Sequence, residues 1–157
     1  MKRSIYHKYV LTLSMVLFSV NSIYSQNRVF QGKVIDEYDF EPLPYADIII
    51  NDSIKIGRTG LDGCFQFETS LPVNKLSFRY VGMEDADLIL SENCNQIELI
   101  MIFDATYDFM SFRKINKIRR KIYKNLPKLH KEAYEKGIFQ SPEACYIQEF
   151  IEYSELE

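Results

Sequence analysis

The sequence predicts a mainly β protein: a seven-stranded sandwich followed by a helical C-terminal extension. Three observations lead there. Runs of β-branched, aromatic and aliphatic residues recur through Phe103 at the spacing of roughly 8–12 residues that marks an all-β sandwich. From Tyr107 the apolar period changes from two to three or four. The composition, 46% hydrophobic and 26% charged over 157 residues, supplies enough apolar surface to close one core and excludes disorder as the global state.

In chain order, Lys2, Arg3 and Lys8 precede the uncharged run Val10 to Val20, and polar residues Asn21 to Gln26 follow it. This is the order of a secretory signal, with cleavage expected after about Ser25 and a location in the periplasm or outside the cell. The apolar run is shorter than the roughly 20 residues of a spanning helix. An uncleaved N-terminal anchor in the inner membrane is the alternative. There is no cysteine near the junction to accept a lipid. Residues 26–104 then read as the sandwich and 105–157 as the extension.

Seven strands are expected at Val29 to Ile35, Tyr45 to Asn51, Ile54 to Thr59, Cys64 to Glu68, Lys75 to Val81, Asp85 to Leu90 and Gln96 to Phe103. Alternation is clearest where Leu76, Phe78 and Tyr80 stand against Ser77 and Arg79, and where Phe65 and Phe67 stand against Cys64, Gln66 and Glu68. The first set of each should face the core. Gly60-Leu61-Asp62-Gly63 reads as a tight hairpin turn, with Asp62 and Gly63 closing it and placing Phe65 in the core. Pro42, Leu43 and Pro44 sit just before a strand, where a missing amide donor does least harm; Leu43 and Ala46 should pack inward. Tyr80, Val81 and Gly82 should end a strand at a turn.

Four ordered stretches resemble a known family: Gly32-Lys33-Val34-Ile35-Asp36, Pro42-Leu43-Pro44-Tyr45-Ala46-Asp47-Ile48, Gly57-Arg58-Thr59-Gly60-Leu61-Asp62-Gly63-Cys64-Phe65, and Leu76-Ser77-Phe78-Arg79-Tyr80-Val81-Gly82-Met83. They look like the carboxypeptidase regulatory-like domain. The resemblance covers Val29 to Phe103 and implies a transthyretin-like (prealbumin-like) sandwich. Such domains occur at the N-terminus of outer-membrane receptors and as stand-alone secreted envelope proteins; with 157 residues, the stand-alone form is the one expected here. At Gly60 the family usually has an acidic or polar residue. The motif positions, Gly32, Pro42, Leu43, Pro44, Ala46, Thr59, Asp62, Gly63, Phe65, Tyr80 and Gly82, need no substrate to explain them.

The residue inventory argues against catalysis. Past the signal the only histidine is His130, within a lysine-rich stretch where it reads as a solvated helix residue. A zinc peptidase needs several such ligands and a general base. No Gly-x-Ser-x-Gly turn, phosphate loop or dinucleotide fingerprint is present. Asp85 with Asp87, or Asp36 with Asp39, are pairs a loop calcium site would draw on, though solvated loops account for them. No cofactor or metal is expected. Cys64, Cys94 and Cys145 are odd in number; a Cys94–Cys145 bridge would staple tail to body, but no spacing supports any pair, and three free thiols, with Cys64 partly covered, is the preferred reading.

Charge divides the chain into three blocks. Gln26 to Asp104 holds six basic and fourteen acidic residues, Ser111 to Lys136 ten basic and two acidic, and Gly137 to Glu157 five acidic and no basic. The modest total of −3 is a cancellation. In the basic block Ile115, Ile118, Ile122, Leu126, Leu129 and Ala133 form one apolar stripe, surrounded by Arg113, Lys114, Lys117, Arg119, Arg120, Lys121 and Lys124. Pro127 should break or kink this helix at Leu126 and open a second one ending near Gly137. Ser141 and Pro142 read as the N-cap and first position of a further helix carrying Cys145, Tyr146, Ile147, Phe150, Ile151 and Tyr153. The stripe is expected to pack on the acidic body or the tail; docking on a partner groove or an anionic membrane surface is the sharper alternative. Nucleic acid is not an expected partner of an exported chain.

These features predict a non-catalytic accessory or interaction module of the cell envelope. Its partner would be an envelope protein or a polysaccharide. An enzyme-associated regulatory subunit, or a protein docking on the membrane surface through the basic helix, is the competing reading.

Overall fold

A computed structural model describes residues 27–153. The expected signal over residues 1–25, with its cleavage point at Ser25 and the alternative inner-membrane anchor, lies outside the described residues. The elements run β1 (Arg28–Asp36), β2 (Asp47–Ile50), β3 (Ile54–Arg58), β4 (Cys64–Thr69), β5 (Lys75–Arg79), β6 (Ala86–Leu90), β7 (Gln96–Met101), α1 (Phe112–Glu135) and β8 (Tyr146–Gln148). The protein is mainly β, with two sheets and one C-terminal helix. One sheet has the order β4-β1-β7 and the other β3-β2-β5-β6-β8. Strands β1 and β7 run parallel, and every other pair is antiparallel.

Each of the seven expected strands is present, and the tail adds an eighth. The main core lies between the sheets, built from Phe30 and Val34 of β1, Phe65 of β4, Leu76 and Phe78 of β5, Leu88 of β6 and Leu99 and Met101 of β7. Alternation sends Ile35 and Ile100 to the opposite face of the three-stranded sheet. There they form a second cluster with Phe40, Ala133 and Phe139, flanked by Leu126 and Leu129. The C-terminal half of the α1 stripe, Leu126, Leu129 and Ala133, therefore packs on the outer face of that sheet; of its isoleucines, Ile115 is buried and Ile118 and Ile122 are half-buried.

Two glycines are fixed by close approach. A Cβ on Gly32 would stand 1.7 Å from the Ile97 carbonyl oxygen, so β1 and β7 pair closely only because no side chain intervenes. Gly63, at φ +72°, would meet the Val34 carbonyl at 2.5 Å. The turn from Gly60 to Gly63 forms, with the Gly63 amide donating to the Gly60 carbonyl and the Gly60 amide to that of Cys64. It is not a hairpin, however: β3 and β4 belong to different sheets, and the turn is a corner carrying the chain between them. Thr59 braces this corner. Its buried hydroxyl accepts from the Ala46 amide at 2.8 Å and donates to the Leu43 carbonyl at 2.6 Å, which holds Leu43 and Ala46 inward.

Four further expectations are corrected. Pro127 does not divide the helix: α1 is continuous across it, because proline there deprives only the Tyr123 carbonyl of its partner while packing on both sides holds the axis. As expected the helix stops near Gly137: its last residue is Glu135, and Gly137, φ +73°, closes it, with the Gly137 and Ile138 amides donating to the Tyr134 and Ala133 carbonyls. The helix expected from Ser141 is absent. The Gln140 and Ser141 amides instead bind the Glu98 carboxylate, and Tyr146 to Gln148 pair with Leu88 to Leu90 as β8. The open edge of β6 offered that backbone a complete set of partners, which outweighed a local capping signature. Finally, Cys94 and Cys145 are joined as a disulfide, so three free thiols is wrong; Cys64 is free, and exposed rather than partly covered.

Candidate interaction site

The C-terminal helix is locked to the body by a charged pair at its first half. Gly82, at φ +83°, turns the chain after β5 and brings Glu84 to the Ile102 carbonyl, which its amide reaches at 2.7 Å. Arg119 lies one turn beyond buried Ile115 and is itself only 2% exposed. Its guanidinium grips Glu84 with both ends of the fork, Nε to Oε1 at 2.7 Å and Nη2 to Oε2 at 2.8 Å, and donates from Nη1 to the Ile151 carbonyl at 2.6 Å. The Phe150 ring covers it at 5.1 Å. Hydrogen bonding to Glu84 pushes the Arg119 pKa up further, so the charge is permanent. Burial, then the Glu84 charge, raises the Tyr123 phenol, which donates to the same carboxylate at 3.3 Å.

Arg119 is thus a correction to the expected coat of exposed cations. The remaining members do line the outer face. Arg120 pairs with Glu152 and lies over the Phe150 ring. Arg113, Lys114, Lys117, Lys121 and Lys124 are exposed and have no ion-pair partner among the described residues. From Arg113 to Lys124 this face extends about 16 Å at 1.5 Å per residue. A shallow groove of 620 Å³ runs along it between Phe112, Asn116 and Lys121. Just before the helix, Phe109 is fully exposed, and Met110 and Phe112 are partly so. The Tyr153 amide caps this end by donating to Asn116 Oδ1 at 2.8 Å.

His130 also departs from expectation: it is 4% exposed, not solvated. Its ring packs against Phe139 at 4.8 Å, and burial lowers its pKa. Both exceptions carry a signal in the sequence. Arg119 falls four residues after Ile115 and three before Ile122, and His130 four after Leu126 and three before Ala133, so both sit on the apolar stripe. Glu84 and Glu98 carry no such signal.

The motif residues take the following places in the fold. Gly32, Thr59 and Gly63 act as described, Pro42 bridges to Ile35, and Asp62 accepts from the Cys64 amide at 3.0 Å. Phe65 and Leu43 are core, and Tyr80 packs against it. Pro44 lies in the crossing between sheets. The aspartate pairs are already engaged. Asp36 Oδ1 accepts the amides of Tyr38, Asp39 and Phe40, while Asp85 and Asp87 both bind Arg79. Among the described residues no three His, Cys, Asp or Glu side chains are grouped for a metal ion, and no helix is long and apolar enough to cross a membrane. No protein-family model matches the chain, and no curated protein matches it.

Proposed function

We propose that this chain is a non-catalytic interaction module of the cell envelope, exported to the periplasm or beyond. In this reading a carboxypeptidase regulatory-like, transthyretin-like sandwich serves as a rigid mount for α1. The observation that carries the proposal is the division of labour in the helix: one basic side chain, Arg119, is turned inward to lock it, while five others face outward without acidic partners among the described residues. A helix fixed by its inner face presents its cations at constant spacing, which lowers the entropy cost of binding. The partner is an acidic envelope protein or an anionic polysaccharide.

The test retains the whole mature chain, because β8 and the disulfide make the tail part of the sandwich. Envelope extract is passed over the wild-type protein and over a variant with Arg113, Lys117, Lys121 and Lys124 all changed to Glu. A partner held by the wild type, released by about 0.5 M salt as screened charges require, and lost by the variant supports the proposal. A partner held equally by both removes α1 from the account. Phe109, Met110 and Phe112 beside the cations favour a second reading, contact with an anionic bilayer surface. Sedimentation with vesicles of phosphatidylglycerol, but not of phosphatidylcholine alone, would select it.

A further inference from the structure

Strands β1, β3, β5 and β7 finish, and β2, β4 and β6 begin, at one end of the sandwich. The loops there are tied to one another: the Tyr45 amide donates to the Thr59 carbonyl, the Glu84 amide to that of Ile102, and the Asp104 amide to that of Gly82. Residues 37–45, 59–63, 80–85 and 102–111, which make up this end, include eight acidic side chains and no basic one. Of the eight, Asp39, Glu41, Asp62, Asp104 and Asp108 are exposed and have no ion-pair partner among the described residues. Large apolar side chains stand in water among them: Val81 is 96% exposed, Leu61 74% and Tyr38 70%, and the Tyr38 ring lies against Phe103 at 5.1 Å. Acids alone would be an ordinary solvated rim, but apolar groups held out beside them are the mark of an interaction surface.

A surface of this kind fits closely spaced cations flanked by apolar groups. The outer face of α1 has that chemistry, with Arg113, Lys114, Lys117, Lys121 and Lys124 preceded by exposed Met110 and Phe112. The two surfaces do not meet within one molecule: the Arg119 lock on Glu84 seats the first half of α1 at this end with its inner face, and no ion pair joins the five cations to the loop acids among the described residues. We propose that the loop end docks the outer face of α1 from a second copy of this chain. The inference rests on the reading of α1 as a binding face and names its acidic protein partner. Asp108 and Phe109 lead directly from the acidic end into α1, so the two surfaces adjoin. A two-fold axis between copies then lets each α1 meet the other's loop end, giving a closed, self-complementary contact. The opposite charges that nearly cancel along the sequence are in this arrangement the two halves of one interface.

Sedimentation velocity over a concentration series, on the mature, disulfide-intact protein, tests this. A monomer–dimer equilibrium with a dissociation constant of about 100 μM or tighter is expected at low salt, weakened at least tenfold in about 0.5 M salt. Lys117→Glu with Lys121→Glu, and separately Asp39→Lys with Asp104→Lys, should each give a monomer with an unchanged circular dichroism spectrum, because like charges now face each other. An equimolar mixture of the two variants should dimerise again, and so should the chain carrying all four changes, since every contact regains opposite charges. A wild type that stays monomeric, dimerisation of either double variant at wild-type strength, or a mixture that stays monomeric would overturn the proposal. A monomeric wild type that still retains an envelope partner through α1 would overturn the self-docking while leaving α1 as a binding face, so the two failures are distinguishable.

Discussion

Glu84→Ala leaves the Arg119 guanidinium buried with the Ile151 carbonyl and the Phe150 and Tyr123 rings but no counter-charge bonded to it, after the loss of two hydrogen bonds of 2.7 and 2.8 Å. Removing one partner of a buried ion pair typically costs about 3–5 kcal/mol, because the remaining charge stays desolvated. Against a total stability of about 5–15 kcal/mol that is a large fraction, and for a chain of this size it corresponds to a fall in Tm on the order of 10–20 °C. Urea unfolding followed by circular dichroism measures it directly; tyrosine emission serves as a second probe, since the chain has eleven tyrosines and no tryptophan. The slope of free energy against urea should not change. The double variant Glu84→Leu with Arg119→Met, which removes both charges together, should recover to within about 2 kcal/mol of the wild type. A loss below about 1 kcal/mol for Glu84→Ala, the value of an exposed pair, would refute the argument that this pair locks the helix.

Three other perturbations have defined outcomes. Cys94→Ala with Cys145→Ala opens a loop with a sequence separation of 51 and should cost about 4 kcal/mol by loop-closure entropy, with β8 amides losing hydrogen-exchange protection first; unchanged protection there would show that the staple is not needed to hold the strand. Burial lowers the His130 pKa in the folded state, so the unfolded chain binds the extra proton and stability falls as pH drops below about 6.5, by at most about 1.4 kcal/mol per pH unit. His130→Phe should flatten that decline in urea midpoints taken at pH 7.5 and 5.0, and an equally steep decline in the variant would assign it to other groups. Gly32→Ala drives a methyl to 1.7 Å from the Ile97 carbonyl oxygen and should cost more than about 2 kcal/mol or prevent folding, read from soluble yield and urea midpoint; wild-type stability would show that β1 and β7 separate freely.

The strands were legible because their signals are local. Phe65 and Phe67 alternate with polar residues, and Gly60, Gly63 and Gly82 punctuate the runs. The helix was legible from the stripe of Ile115, Ile118, Ile122 and Leu126. What was not legible depends on partners distant in the chain. Tyr146 to Gln148 follow a serine-proline pair that locally favours a helix, and only the unpaired edge of β6, more than fifty residues earlier, makes them a strand. The bond between Cys94 and Cys145 follows from that same docking. The corner at Gly60 to Gly63 has the residues of a hairpin, and nothing within four residues specifies that its flanking strands join different sheets. Arg119 was hidden among like-charged neighbours although its register with Ile115 and Ile122 placed it on the buried stripe; His130 shares that register logic with Leu126 and Ala133.

In the proposed function the outer face of α1 is the binding element and the sandwich its mount. A photo-crosslinking amino acid placed in living cells at Lys117 or Lys121, and at Gln66 or Glu68 on exposed positions of β4 as controls, tests this most directly. Covalent adducts are expected from the two helix positions and none from the two strand positions. Adducts arising only from β4 would contradict it and move the interaction to the sandwich.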